Sequence, residues 1–91
     1  MAHHKSAKKR IRQSEKRRLR NRMYKSRART FIKRARKMIE SGNLEEAEKL
    51  VQESIKALDR AAERGVLHKN NVARRKSRLM RYFNKARSLS A

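Results

Sequence analysis

The densest chemistry in this chain is cationic. Between Lys5 and Lys37 stand 17 Lys or Arg residues and one acid, Glu15. Lys and Arg displace the counterions of a polyanion, and an Arg guanidinium forks across two phosphate oxygens. The candidate phosphate ligands of this run are Lys5, Lys8, Lys9, Arg10, Arg12, Lys16, Arg17, Arg18, Arg20, Arg22, Lys25, Arg27, Arg29 and Lys33. A merely solvated charged face would contain acids, so the pattern points to a nucleic acid. Gln13, Asn21, Ser26 and Thr30 are interleaved with the cations, where they could reach ribose 2′-hydroxyls or base edges. The alternative is that they are ordinary exposed polar positions.

A second basic group lies near the C-terminus. Arg74, Arg78, Arg81 and Lys85 form a stripe about 60° wide if the segment is helical. Just before it, His68-Lys69-Asn70-Asn71 clusters donors at the start of that helix, a ready anion site. Equally, Asn70 or Asn71 merely caps the helix. The polar carboxylates of the middle segment need no catalytic role, and there is no Cys, no Gly-rich phosphate loop and no nucleophile spaced to meet a base. Neither an enzyme nor a cofactor is expected. His3 and His4 are adjacent but lack further ligands, so no metal site is expected either. The few aromatic residues form no base-stacking platform: Phe31 and Phe83 fall on core faces, and Tyr82 sits at a core edge, where packing is favoured over stacking on a base.

The elements that position these cations follow from periodicity. Tyr24, Ala28, Phe31, Ile32, Ala35, Met38 and Ile39 recur at spacings of three and four, which makes one apolar helical face. Carried back towards the N-terminus, that face becomes Arg20, Arg17, Gln13 and Arg10. The first half of the helix is therefore polar all round and cannot bury itself against its own chain. The helix is expected from about Ala7, capped by Ser6, to Glu40, with Gly42 ending it. Asn43 then caps a second helix, with Glu46 three residues on as in a capping box. This helix is expected over Leu44 to Arg64, with Leu44, Ala47, Val51, Ile55, Leu58 and Ala62 facing the core. Gly65 ends it, and Val66 supplies the hydrophobic contact of a Schellman turn. A third helix is expected from near His68 to near Arg87, with Val72, Leu79, Met80, Phe83 and Ala86 inward and Ser88 to Ala91 frayed. Lys76 falls inside the apolar arc and must extend its stem to reach water.

Charge is segregated along the 91 residues, whose net charge is +21. Residues 1–39 hold 17 bases and one acid, residues 40–64 four bases and seven acids, and residues 65–91 eight bases and no acid. Acids confined to the middle imply that the middle faces away from the polyanion. The absence of Cys suits a reducing cytosol. No apolar run approaches the roughly 20 residues of a membrane span, and the N-terminus lacks an apolar signal region. It resembles a mitochondrial transit peptide in being Arg-rich, but its removal would leave only about 50 residues. The expected fold is a single all-α domain over 1–91: a three-helix antiparallel bundle at 23–87 with residues 7–22 projecting as a basic arm. Without tertiary support, that arm is expected to be partly unfolded in free solution.

Asn21-Arg22 followed by Ser26-Arg27-Ala28-Arg29 looks superficially like the basic region of a leucine-zipper factor. The Asn-to-Ser spacing is too short, however, and Gly42 ends the helix before any leucine heptad. A helix charged on all sides fits better where several RNA helices converge. The blocks Lys5-Ser6-Ala7-Lys8-Lys9-Arg10, Arg29-Thr30-Phe31-Ile32-Lys33, Gly65-Val66-Leu67-His68-Lys69-Asn70 and Ala73-Arg74-Arg75-Lys76-Ser77-Arg78-Leu79 resemble the bacterial small-subunit ribosomal protein twenty family across nearly the whole chain. That resemblance implies a three-helix bundle with a long first helix, bound directly to 16S ribosomal RNA in the bacterial cytoplasm as a primary binder. It carries RNA contact onto Lys5, Ser6, Lys8, Lys9, Arg10, Arg29, Thr30, Lys33, His68, Lys69, Asn70, Arg74, Arg75, Lys76 and Arg78. Val72 is bulkier than the Ala expected there, which touches only close helix contacts. Few protein contacts, no membrane and no homo-oligomer are expected. The competing reading is a DNA-compacting or regulatory basic protein. A membrane-active cationic helix is disfavoured, because no apolar stripe precedes Tyr24.

Overall fold

A computed structural model describes the backbone of residues 2–90 and the side-chain surroundings of residues 6–89. It contains three helices: α1 over Ala2–Ser41, α2 over Leu44–Glu63 and α3 over Lys69–Ser90. The molecule is elongated, with extents of 70 × 22 × 13 Å. The length comes from α1, whose 40 residues rise about 1.5 Å each. Side chains from Ser6 to Arg20 are all exposed, and the first buried residue is Ala28.

Both connections are Schellman turns. The Gly42 N–H bonds to the Ile39 carbonyl at 3.1 Å and the Asn43 N–H to the Met38 carbonyl at 3.2 Å. At the end of α2, Gly65 bonds to Ala62 at 3.0 Å and Val66 to Ala61 at 2.8 Å. Gly42 at φ 84° and Gly65 at φ 71° hold the left-handed conformation these turns require. Asn43 caps α2 as expected, its side-chain oxygen accepting from the Glu46 N–H at 3.4 Å. Glu45 and Glu46 lie in the first turn, at the positive end of the helix dipole.

The ends of the other helices differ from expectation. α1 begins at Ala2 and not Ala7, so Ser6 lies within the helix and cannot be its N-cap. With no Gly or Pro before it, nothing stops the winding at Ser6. α3 is capped by His68, not by Asn70 or Asn71. The His68 carbonyl accepts from Val72 at 3.1 Å, and its ring Nδ1 accepts from the Asn70 N–H at 3.1 Å. α3 also continues through Ser88 and Leu89 to Ser90, where a frayed end was expected. Arg87 in its last turn complements the negative end of the dipole.

The core is small and lies beside the C-terminal half of α1. One cluster joins Ala35 and Ile39 of α1, Ala47 and Val51 of α2, and Leu79 and Phe83 of α3. The other joins Ala28, Ala57, Leu58 and Val72, so the bulk of Val72 is accommodated within the core. The α1–α2 hairpin is the dominant packing unit, and the α1–α3 seam is the narrowest of the three. Ala28 and Ala35 on α1, and Ala47, Ser54 and Ala61 on α2, are fully buried and recur every seven residues. A seven-residue spacing keeps one seam facing the partner helix, and small residues let the two backbones approach.

The buried face of α2 is turned relative to the expected one. Ser54, Ala57 and Ala61 are buried, while Leu44, Ile55 and Ala62 are only half-buried. The reason is that α2 is covered by α1 on one flank and α3 on the other. On α3, Val72, Leu79 and Phe83 are buried as expected, but Met80 is 37% exposed. Met80 lies at the rim of an arc too wide for a helix flanked only narrowly by α1. Phe31 is half-buried.

Candidate nucleic-acid interface

Lys and Arg dominate α1 because long unbranched side chains favour helix while their charges stay in water. Along residues 8–29 of α1 the side chains define two shallow surfaces. Ser14, Arg17, Arg18, Asn21, Arg22, Lys25, Ser26 and Arg29 line one. Lys8, Lys9, Arg12, Gln13 and Lys16 line the other. At 100° per residue their mean directions differ by roughly 160°, so cations point to opposite sides of one rod. Arg10, Arg20, Arg27, Thr30 and Lys33 are exposed between or beyond them, and Asn21 is half-buried. Ser6 is exposed within the helix, whereas the side chains of Lys5, His3 and His4 lie outside the described residues.

None of these arm cations has a carboxylate partner among the described residues. The ion pairs there are Lys49–Glu46 at 3.7 Å, Lys56–Glu53 at 3.6 Å and Lys76–Asp59 at 2.8 Å, all using acids of α2. The arm is thus a set of uncompensated charges, while α2 carries the acids on its exposed side.

The α3 residues divide into three kinds. Asn71, Arg74, Arg75 and Arg78 line a groove of about 270 Å³ between α1 and α3, floored by Ile32 and Leu79. Lys69, Asn70, Arg81 and Lys85 are exposed outside it. Lys76 and His68 are occupied in other ways. The Lys76 ammonium is paired with Asp59 on α2 at 2.8 Å, so it is held on the α2 flank in this structure. His68 gives its Nδ1 lone pair to the Asn70 N–H, so its part in the expected donor cluster reduces to Nε2. Asn71 spends its side-chain oxygen on Arg75 Nε at 2.7 Å, which holds that guanidinium in place.

Arg36 was absent from the sequence-derived candidates. It lines the α1–α3 groove, and its guanidinium carbon lies 6.0 Å from the Tyr82 ring centroid. The signal for it was one helical turn of spacing beyond Ile32, at the rim of the apolar face. Tyr82 itself is 39% exposed and its hydroxyl donates to Glu40 at 3.5 Å. It therefore ties α3 to α1 at the core edge, as packing would require.

Comparison with known proteins decides what kind of chain this is. Residues 2–84 match the family described as Ribosomal protein S20. The chain belongs to the S20 family. A Thermomicrobium roseum protein named small ribosomal subunit protein bS20 is 60% identical over 84 residues, covering 92% of this chain and 85% of the relative. Proteins of the same name from a Roseiflexus species and from Aquifex aeolicus are 54% and 48% identical, covering 99% and 94% of this chain and 98% and 92% of theirs. Membership of S20 makes this a structural ribosomal protein and not an enzyme. No helix among the described residues is long and apolar enough to cross a membrane.

Proposed function

We propose that this chain is a constituent of the bacterial small ribosomal subunit that binds 16S ribosomal RNA directly and lets several RNA helices pack together. The observation that carries this reading is the pair of oppositely directed, unneutralised cationic faces along residues 8–29 of α1. A rod of this kind lying between RNA helices neutralises phosphates on both sides, lowering the repulsion that keeps the helices apart. α3 adds a second basic surface, while acidic α2 turns to solvent. The RNA contacts comprise the arm cations, the interleaved Gln13, Asn21, Ser26 and Thr30, and Arg74, Arg75 and Arg78 of α3. The arm at 7–22 and the bundle at 23–87 act as one domain in the cytoplasm, with few protein contacts and no self-association.

Charge alone would also serve a DNA-compacting protein, so the test must separate shape from charge. Naked small-subunit ribosomal RNA is titrated at physiological salt with excess duplex DNA as competitor. Saturable binding at one site, retained against the competitor, is the expected result. Binding lost to the competitor would replace RNA recognition with the DNA-compacting reading.

A further inference from the structure

We infer that the groove between α1 and α3 is a clamp for RNA backbone, in which Arg36 of α1 and Arg74, Arg75 and Arg78 of α3 grip adjacent phosphodiesters and thereby lock α3 onto α1. This rests on the RNA-binding reading but assigns it a site and a consequence that the arm does not supply. Four arginines from two helices line one groove of about 270 Å³. The lining includes no carboxylate, and the nearest acid along α1, Glu40, accepts instead from Tyr82 one turn on. Like charges lining one groove repel, and the repulsion acts across the narrowest helix seam in the bundle. The free protein therefore holds α3 against its own electrostatics.

Two of the guanidiniums are already positioned. Arg75 is fixed by Asn71 Oδ1, and Arg36 lies over the Tyr82 ring. Arginine suits this role better than lysine, because its planar fork engages two phosphate oxygens at once. A phosphodiester seated here replaces repulsion between the helices with attraction to a shared anion. α3 is otherwise joined to its neighbours by Lys76–Asp59, Tyr82–Glu40 and the buried Val72, Leu79 and Phe83. Filling the groove adds a further restraint between α1 and α3, so α3 should tighten when RNA binds.

The test is hydrogen exchange on the full chain, free and saturated with naked small-subunit ribosomal RNA. The wild type is compared with Arg36→Leu, which keeps a stem against Tyr82, and with Arg78→Gln on the other wall. In the wild type, RNA should slow exchange across 69–90 about tenfold beyond the free protein. In both variants the arm should still be protected by RNA, while the slowing in α3 shrinks at least about threefold. Arg78→Gln keeps the test intact if Arg36→Leu unfolds α3. Wild-type slowing of α3 in both variants would overturn the clamp while leaving the RNA-binding reading standing. No RNA-dependent slowing anywhere in the wild type would overturn both. Inorganic polyphosphate at matched phosphate concentration should slow α3 less than RNA does. Equal slowing would assign the groove to free polyphosphate and overturn the RNA clamp.

Discussion

The Lys76 ammonium lies 2.8 Å from Oδ1 of Asp59, joining α3 to α2 on the flank away from the basic groove. Both side chains are partly exposed, so the pair contributes only about 0.2–1 kcal/mol. Its larger effect is to take one cation out of the set available to phosphate. Lys76→Ala is therefore expected to lower stability by about 0.5 kcal/mol in urea unfolding and to leave RNA affinity within about twofold. An affinity loss of about tenfold would mean that Lys76 leaves Asp59 for a phosphate when RNA binds.

Arg10, Arg17 and Arg20 are exposed and make no ion pair among the described residues. Replacing all three with Glu should leave the melting temperature of the bundle unchanged, since nothing buried is altered. RNA affinity should fall strongly. With about eight phosphates neutralised, log affinity against log salt should slope near −7 in the wild type. Each arm cation that contacts a phosphate and is removed should reduce that slope by about one unit. A slope near zero in the wild type, or unchanged binding in the triple variant, would remove the arm from the interface.

Phe83 is 3% exposed and lies in the cluster that joins all three helices. Phe83→Ala should cost about 3–5 kcal/mol, a large fraction of what a domain this small can have. Phe31 points the same way in the sequence pattern but is only half-buried, so Phe31→Ala should cost about 1–2 kcal/mol. Urea unfolding of both variants gives the order. Equal costs would mean that α1 rolls to bury Phe31 more deeply than its half-exposed position indicates.

Local rules made much of this architecture legible. The apolar stripe of α1, the stops at Gly42 and Gly65 and the Asn43 cap all depend on residues within one or two turns of each other. What the pattern missed depends on neighbours distant in sequence. Ser54, Ala57 and Ala61 carry little hydropathy signal, yet the approach of α1 requires them to be small. Lys76 gave no sign of its partner 17 residues earlier. Arg36 became a groove residue only once α3 lay beside α1. His68 took the capping role from Asn70 and Asn71 because its imidazole reaches an N–H two residues ahead. The exposure of the arm was readable because it needs no partner element, only a stretch of helix with charge on every side.

At Gly42, φ is 84° and an added Cβ would meet no atom within 4 Å. The cost of Gly42→Ala is thus conformational and free of clash, about 1–2 kcal/mol. Gly42→Asn should cost less, because Asn tolerates the left-handed region. Denaturant midpoints for the two variants measure the difference. No change for Ala would mean that the hairpin between α1 and α2 ends in another conformation.

Ser54 is fully buried where α2 meets α1, and its hydroxyl donates to the Leu50 carbonyl at 2.7 Å. That carbonyl belongs to the helical ladder already, so removing the hydroxyl strands no buried group. Ser54→Ala should therefore be neutral to within about 0.5 kcal/mol, helped by the higher helix propensity of Ala. Ser54→Leu forces three further carbons between two close backbones and should cost about 1–3 kcal/mol. The contrast tests the seven-residue seam directly. If Leu were tolerated as well as Ala, the small residues at 28, 35, 47, 54 and 61 would not be setting the approach of the two helices. If Leu alone is penalised, a polar residue in the core is explained by its size.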